Sequence, residues 1–173
     1  MSQLWSAYRL TLDAIKPDSS EHAVQSLWSV ITAAYFPSEE NYALNFFGNA
    51  GMPTIKVRQK KAVVASPSPW KASDWGERQI LQVEYRRPSE DTPANWSSMG
   101  TLNGLDKLFG AVAIGKRVRF FRFDGTKTPG ARDRMVPLHL DPIDLGKPEG
   151  QSQLRRWMDD IKRDGWHWAN SVG

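Results

Sequence analysis

A mixed α/β domain is the fold this chain predicts, on three observations. Segments with a helical apolar period lie near both ends and past the middle. Between them are short runs rich in β-branched and aromatic residues. Breaks containing Gly and Pro separate the runs, so the order is helix, strands, helix, strands, helix. With 173 residues, 40% of them hydrophobic, the chain suits one domain spanning 1–173, its core at about 20–168. The expected architecture is a central mixed sheet flanked by helices.

Each element has a local reason. Leu4, Tyr8, Leu10, Leu12 and Ile15 predict a short amphipathic helix over 4–15. After the break at Pro17, Ser20 suits an N-cap and Glu21 the positive first turn. Val24, Leu27, Trp28, Ile31 and Tyr35 then keep the helical period until Pro37. Residues 42–47 and 54–59 predict strands around a turn at 48–53. A further strand is expected at 62–65, followed by a long loop over 66–76 with Trp70 and Trp75. Residues 79–85 predict a central strand and 88–93 a loop. Residues 95–108 predict a helix weakened by Gly100 and Gly104. A hairpin follows, with strands 108–114 and 117–123 around Gly115-Lys116. An edge strand is expected at 135–140. A terminal helix at 152–163 has Leu154, Trp157, Met158 and Ile161 on one face. Asp141, Asp144 and Glu149 read as loop surface, and Trp166 and Trp168 as a hydrophobic latch.

Composition narrows the chemistry. There is no Cys, which excludes disulfides and thiolate metal sites. The three His, at positions 22, 139 and 167, do not pair at zinc-ligand spacing. A formal charge of +4 admits nucleic acid or another anionic partner. The start lacks an apolar signal segment, and no run reaches the roughly 18–20 apolar residues of a membrane span. The expectation is an intracellular protein, cytoplasmic or nuclear, with no membrane partner. Eight Trp point to some rings at surfaces or interfaces, which suits a protein partner or self-association.

Chemistry concentrates in residues 80–88. On a strand, Gln82, Glu84 and Arg86 share one face and Leu81, Val83 and Tyr85 the other. An acid and a base two residues apart, ending an apolar strand, are the raw material of a metal-dependent phosphodiester site. An exposed cross-strand charge pair produces the same pattern. Basic residues cluster at Lys56, Arg58, Lys60 and Lys61, at Arg86 and Arg87, and at Lys116, Arg117 and Arg119. Lys56, Arg58 and Lys60 fall on one strand face. With interleaved aromatics they suit a phosphate-tracking surface, or else a solvated sheet face over core rings. Gly110 to Arg117 approaches the spacing of a nucleotide-binding loop. It lacks the Ser or Thr after Lys116, and Val118 onward favours a strand where that loop needs a helix.

In order and spacing, Glu21 on the first helix, residues 80–88 with Glu84 and Arg86, and the Gly-turned strand pair 108–123 resemble the PD-(D/E)xK restriction-endonuclease-like superfamily, especially its fungal members. The resemblance spans roughly 20–168. It implies a restriction-endonuclease-like core and a vestigial or active site built on Glu84, Glu21 and Arg86. The departures weigh as much as the match. Lys60 and Lys61 stand on the segment expected to carry the metal-binding Asp. One Glu holds Mg²⁺ poorly, and a nearby ammonium repels it. The superfamily's Lys is Arg86, which cannot give up a proton but can hold a phosphate.

The resemblance therefore implies a catalytically degenerate nuclease-like domain with no cofactor, binding nucleic acid or another anion through Lys60, Lys61, Arg86 and Arg87. One alternative is an active Mg²⁺-dependent nuclease that uses Glu84, with Asp74 supplying the missing carboxylate. The other is a protein-interaction or effector-like module that reuses the fold, including as a homo-oligomer.

Overall fold

The computed structural model describes residues 2–48, 53–62, 75–97, 99, 102 and 106–171. Two helices come first, α1 (Ser2–Ala14) and α2 (Glu21–Tyr35). A hairpin follows, β1 (Tyr42–Phe47) and β2 (Thr54–Ala62), then the long strand β3 (Trp75–Arg86). The strand pair β4 (Lys107–Ile114) and β5 (Arg117–Asp124) comes next, with short β6 (Met135–Pro137) and β7 (Ile143–Asp144). Helix α3 (Pro148–Asn170) closes the described chain.

One mixed sheet runs in the order β1-β2-β3-β4-β5-β6, with β7 also paired to β5. All neighbours are antiparallel except β3 and β4, which run parallel. A parallel neighbour requires the chain to cross back over the sheet. Residues 87–106 do this, through short 3-10 turns at Pro88–Glu90 and Pro93–Trp96. β3 is the hub of the sheet. From Ile80 to Arg86 every residue is buried, so both of its faces are covered.

The two faces differ. Leu81, Val83, Tyr85, Ala111, Ala113, Val118 and Phe120 share one cluster with Tyr8 and Leu12 of α1, Val24, Leu27, Trp28 and Ile31 of α2, and Leu154, Met158 and Ile161 of α3. All three helices thus pack on one face, here the helix face. A smaller cluster of Trp96, Met99, Val112, Ile114 and Phe121 lies opposite, under the crossover. The sheet is therefore flanked by helices on one side only, among the described residues.

Several elements differ from the sequence expectation. The helix expected over 95–108 is not formed by its described residues. Asn95 and Trp96 belong to a 3-10 turn, and Lys107 already starts β4. Pro93 limits the first turn, and the Asn95 and Trp96 side chains bond elsewhere, as shown below. β3 is longer than 79–85 because Trp75 to Gln79 pair with β2. The strand expected at 62–65 contributes only Ala62, the end of β2; 63–65 and Trp70 lie outside the described residues. α3 continues well past Arg163 and absorbs the Trp166–Trp168 tail. Gly165 does not end it because a Cβ there would meet the Ile80 Cβ at 3.0 Å, so the helix and β3 approach closely at a residue without a side chain. Asp144 lies in β7 and Glu149 in the first turn of α3, not in loop. The segment Gly110–Arg117 is a strand pair turning at Gly115, where φ is 58°. It is not a phosphate loop.

His139 ties the segment after β6 to β5. Its Nε2 accepts the Phe120 N–H at 3.0 Å, and its Nδ1 donates to the Asp141 carbonyl at 2.7 Å. The ring stacks at 5.8 Å from Trp157 of α3. The neutral ring alone can do this, because imidazolium has no acceptor. Burial, with Arg119 nearby, holds His139 below its ordinary value against the opposing pull of Asp141. A base whose folded value is lowered contributes stability above its unfolded value, about 6.5. That contribution is lost as pH falls through the lowered value. In thermal melts, His139→Ala should therefore be most destabilising at pH 7–8, and the gap to the parent chain should narrow toward about pH 5. A gap independent of pH would show that the acceptor role is unimportant.

Candidate functional site

Glu84 and Arg86 project from β3 on the face opposite the helices. Neither is the exposed charge that a surface cross-strand pair would supply. The Glu84 side chain has no exposed surface and that of Arg86 is 5% exposed, with Arg86 Nη2 3.8 Å from Glu84 Oε2. Bringing an ion pair out of water is costly, and its mutual attraction offsets the cost only when further hydrogen bonds complete it. Arg86 Nη1 donates to Asn95 Oδ1, and Asn95 Nδ2 in turn donates to the Glu90 carbonyl at 2.7 Å. The Gly115 N–H, in the β4–β5 turn, donates to the Arg86 carbonyl at 3.2 Å. The pair is thus joined to the crossover and to the next turn.

A second set of bonds holds the same crossover. Trp96 Nε1 donates to Asp91 Oδ1 at 2.6 Å, and Arg117 pairs with Asp91 Oδ2 at 2.8 Å. The Arg117 guanidinium also lies 5.6 Å from the centre of the Trp96 ring. Asp91, Asn95 and Trp96 come from a loop, so their joint action had no periodic signal in the sequence.

The strand registers identify what surrounds Glu84. Thr54, 2% exposed, is its partner on β2 and Val112 its partner on β4. Along β3 its same-face neighbours are Gln82 and Arg86. None of the four is an acid. The β2 position that would share a cation with Glu84 is thus Thr54, not a residue of the Lys60–Ala65 stretch. The register depends on how β2 returns to β3, which local spacing does not reveal. Among the described residues no three His, Cys, Asp or Glu side chains group as metal ligands. Asp74 lies outside the described residues.

The other expected site residues do not converge on Glu84. Glu21 opens α2 on the helix side. Burial, then the Glu90 charge, raises its carboxyl above the ordinary value, while Arg87 opposes this. Its charge also contributes, after burial, to raising the Tyr85 phenol, which faces the helices. Arg87 is 60% exposed and 3.7 Å from Glu90. Lys60 and Lys61 pair with Glu77 and Gly76, seven or more residues from Glu84 along β3, or roughly 20 Å. They also face opposite ways, since Lys61 lies 5.5 Å over the Trp166 ring of α3. Lys60, Lys61, Arg86 and Arg87 therefore do not line one groove.

The structure assembles a different basic row. Even-numbered residues of β2 face away from the helices, which places Lys56, Arg58 and Lys60 together. Asn45 and Phe47 of β1 flank them, as does Gln82 of β3. Lys56 Nζ sits 4.9 Å from the Phe47 ring centre. At the far end of β3, Arg58, Arg78, Gln79 and Lys107 line a cleft of about 420 Å³ with Glu77 and Asp106. Lys107 is itself buried and lies 3.6 Å from Asp124. Burial disfavours the Asp124 carboxylate, but the Thr126 hydroxyl and N–H and the Lys107 charge outweigh it, so Asp124 sits below its ordinary value.

No family model, curated protein or solved structure matches this chain.

Removing one member of a buried pair leaves the other charge uncompensated. Arg86→Ala should therefore cost about 3–5 kcal/mol in urea denaturation. The double replacement Glu84→Leu with Arg86→Met should cost far less, because it removes both charges and keeps volume. In hydrogen exchange the same double variant should lose protection over residues 88–97, where Asn95 has lost its donor. Equal losses for the single and double variants would contradict this account of the pair.

Proposed function

We propose that this chain is a catalytically inactive nuclease-like domain that binds nucleic acid along the basic row of β2. The order of elements supports the nuclease-like part. A Glu-bearing helix precedes a hairpin, an apolar strand ends in Glu84-x-Arg86, and a Gly-turned strand pair follows. Inactivity rests on one observation: the sheet neighbours of Glu84 are Thr54, Val112, Gln82 and Arg86, and none of these described residues is a second carboxylate to share a cation with it. The guanidinium of Arg86 supplies the positive charge that a metal would bring. Arg86 does so while bonded to Asn95, which leaves it a structural cation and not a phosphate clamp.

The binding part rests on Lys56, Arg58 and Lys60 in a row on the face without helices. Alternate strand residues are roughly 7 Å apart, close to the spacing of successive phosphates on an extended strand. Phe47 at the end of the row offers a ring for base stacking, and Asn45 and Gln82 offer hydrogen bonds. Contacts of this kind track a backbone and carry little base identity.

The test uses the purified chain with labelled single- and double-stranded oligonucleotides. With Mg²⁺ or Mn²⁺ all substrates should remain intact; cleavage lost in Glu84→Gln would overturn inactivity. Binding should weaken steeply with salt. Lys56→Glu with Arg58→Glu should weaken all sequences about equally and lower the salt slope by roughly 0.7 per lost contact on single strands and roughly 0.9 on duplex. Arg87→Glu should have little effect. No binding by the parent chain at low salt would reject the nucleic-acid reading.

A further inference from the structure

The sheet ends differently at its two edges. β6 has three residues and closes with Pro137, which has no N–H to offer. β1 has six residues, Tyr42–Phe47, with no charge and no proline, and its register with β2 is unbroken. No described strand pairs with its outer side. Edge strands are normally blunted by charge, proline, brevity or a bulge. β1 has none of these, and Phe46 and Phe47 are 49% and 47% exposed.

The ladder shows which backbone groups are open. The Asn41 carbonyl accepts the Lys60 N–H at 2.9 Å, so Asn41 and Lys60 form a hydrogen-bonded pair. Such pairs alternate along an antiparallel ladder. Ala43, Asn45 and Phe47 thus bond to β2, while the N–H and C=O groups of Tyr42, Leu44 and Phe46 point away from the sheet. The side chains of those same three residues share the helix face. Tyr42 is buried there, edge-on to Phe36 at 5.2 Å, and Leu44 is half-buried.

We propose that β1 pairs antiparallel with β1 of a second copy, about a two-fold axis at Leu44, joining two sheets into one. The strand is complementary to itself in this register. Leu44 meets Leu44 of the second copy, and Phe46 covers Tyr42 of the second copy, an aromatic cross-strand pair. A two-fold contact of this kind closes on itself and leaves neither β1 edge open. Charge agrees with the register. Lys56 lies beside Phe47 at one end of β1, and the exposed Ser38–Glu40 turn lies at the other. Antiparallel pairing brings the Lys56 of each copy toward the Glu39 of the other. The pairing shares Lys56 with the basic row, but its test uses no nucleic acid.

The chain has no cysteine, so single cysteines report the register cleanly. Leu44→Cys would face itself across the axis at a Cα separation of about 5.5 Å, within reach of a disulfide. Phe47→Cys would lie roughly 20 Å from its copy. In sedimentation the parent chain should be a dimer whose fraction rises with concentration. Phe46→Lys should be monomeric with an unchanged circular dichroism spectrum. So should Phe46→Pro, which removes one outward N–H and leaves the bonds to β2 in place. Mild oxidation should link Leu44→Cys and not Phe47→Cys. A parent chain that stays monomeric at the highest concentration would overturn the proposal, including where the edge serves another protein's strand. So would a dimer that survives Phe46→Lys, or one in which Phe47→Cys links as readily as Leu44→Cys.

Discussion

The ion pair between Glu84 and Arg86 is the constraint on which the rest of this fold turns. It lies on the central strand with almost no exposed surface. A carboxylate in that position requires a cation, and here the chain supplies its own two residues later. That choice has a structural consequence. The guanidinium has donors to spare, and Asn95 takes one of them. A crossover that lacks an α-helix in its described residues is thereby fixed over the ends of β3 and β4, and Asp91, Trp96 and Arg117 complete the attachment.

Much of the fold was legible in the chain because its signals are local. The apolar period of α2 and the alternation in β1 and β2 each depend on a few neighbours. The Gly115 turn and the amphipathic face of α3 do so as well. The two faces of β3 from Leu81 to Arg86 followed from side-chain alternation, but the register shift that turns Ile80 to the helix face beside Leu81 did not. What escaped depends on distant residues. Residues 95–108 have the composition of a weak helix, but Asn95 and Trp96 are drawn into bonds with Arg86 and Asp91. Gly165 has the look of a helix end, yet it sits where the helix needs no side chain against Ile80. The site was legible in type and not in arrangement. Glu84 and Arg86 stood out, but their burial and the position of Thr54 follow from how β2 and β3 align. That alignment also separates Lys60 and Lys61 from Arg86 and directs Lys61 to the other face.

The resulting division of labour is spatial. The helix face holds the main core. The opposite face has two parts, one under the crossover with the Glu84–Arg86 pair and one over β1 and β2 with the basic row. Polar chemistry that would serve catalysis in a nuclease-like site is here enclosed and holds the chain in place. The basic row lies on β2, and the backbone groups left open lie on β1. The proposed binding and self-association surfaces therefore both fall on the hairpin, away from the buried pair.

The central claim of the proposal is that Arg86 serves as the cation of Glu84 in place of a metal. Paramagnetic Mn²⁺, added to ¹⁵N-labelled chain, tests this most directly, because it broadens amide signals close to any carboxylate that binds it. The account predicts no selective broadening of residues 82–86, while exposed acids such as Asp133 show at most weak effects. Selective loss of the Glu84, Tyr85 and Arg86 signals at low Mn²⁺, absent in Glu84→Gln, would contradict it.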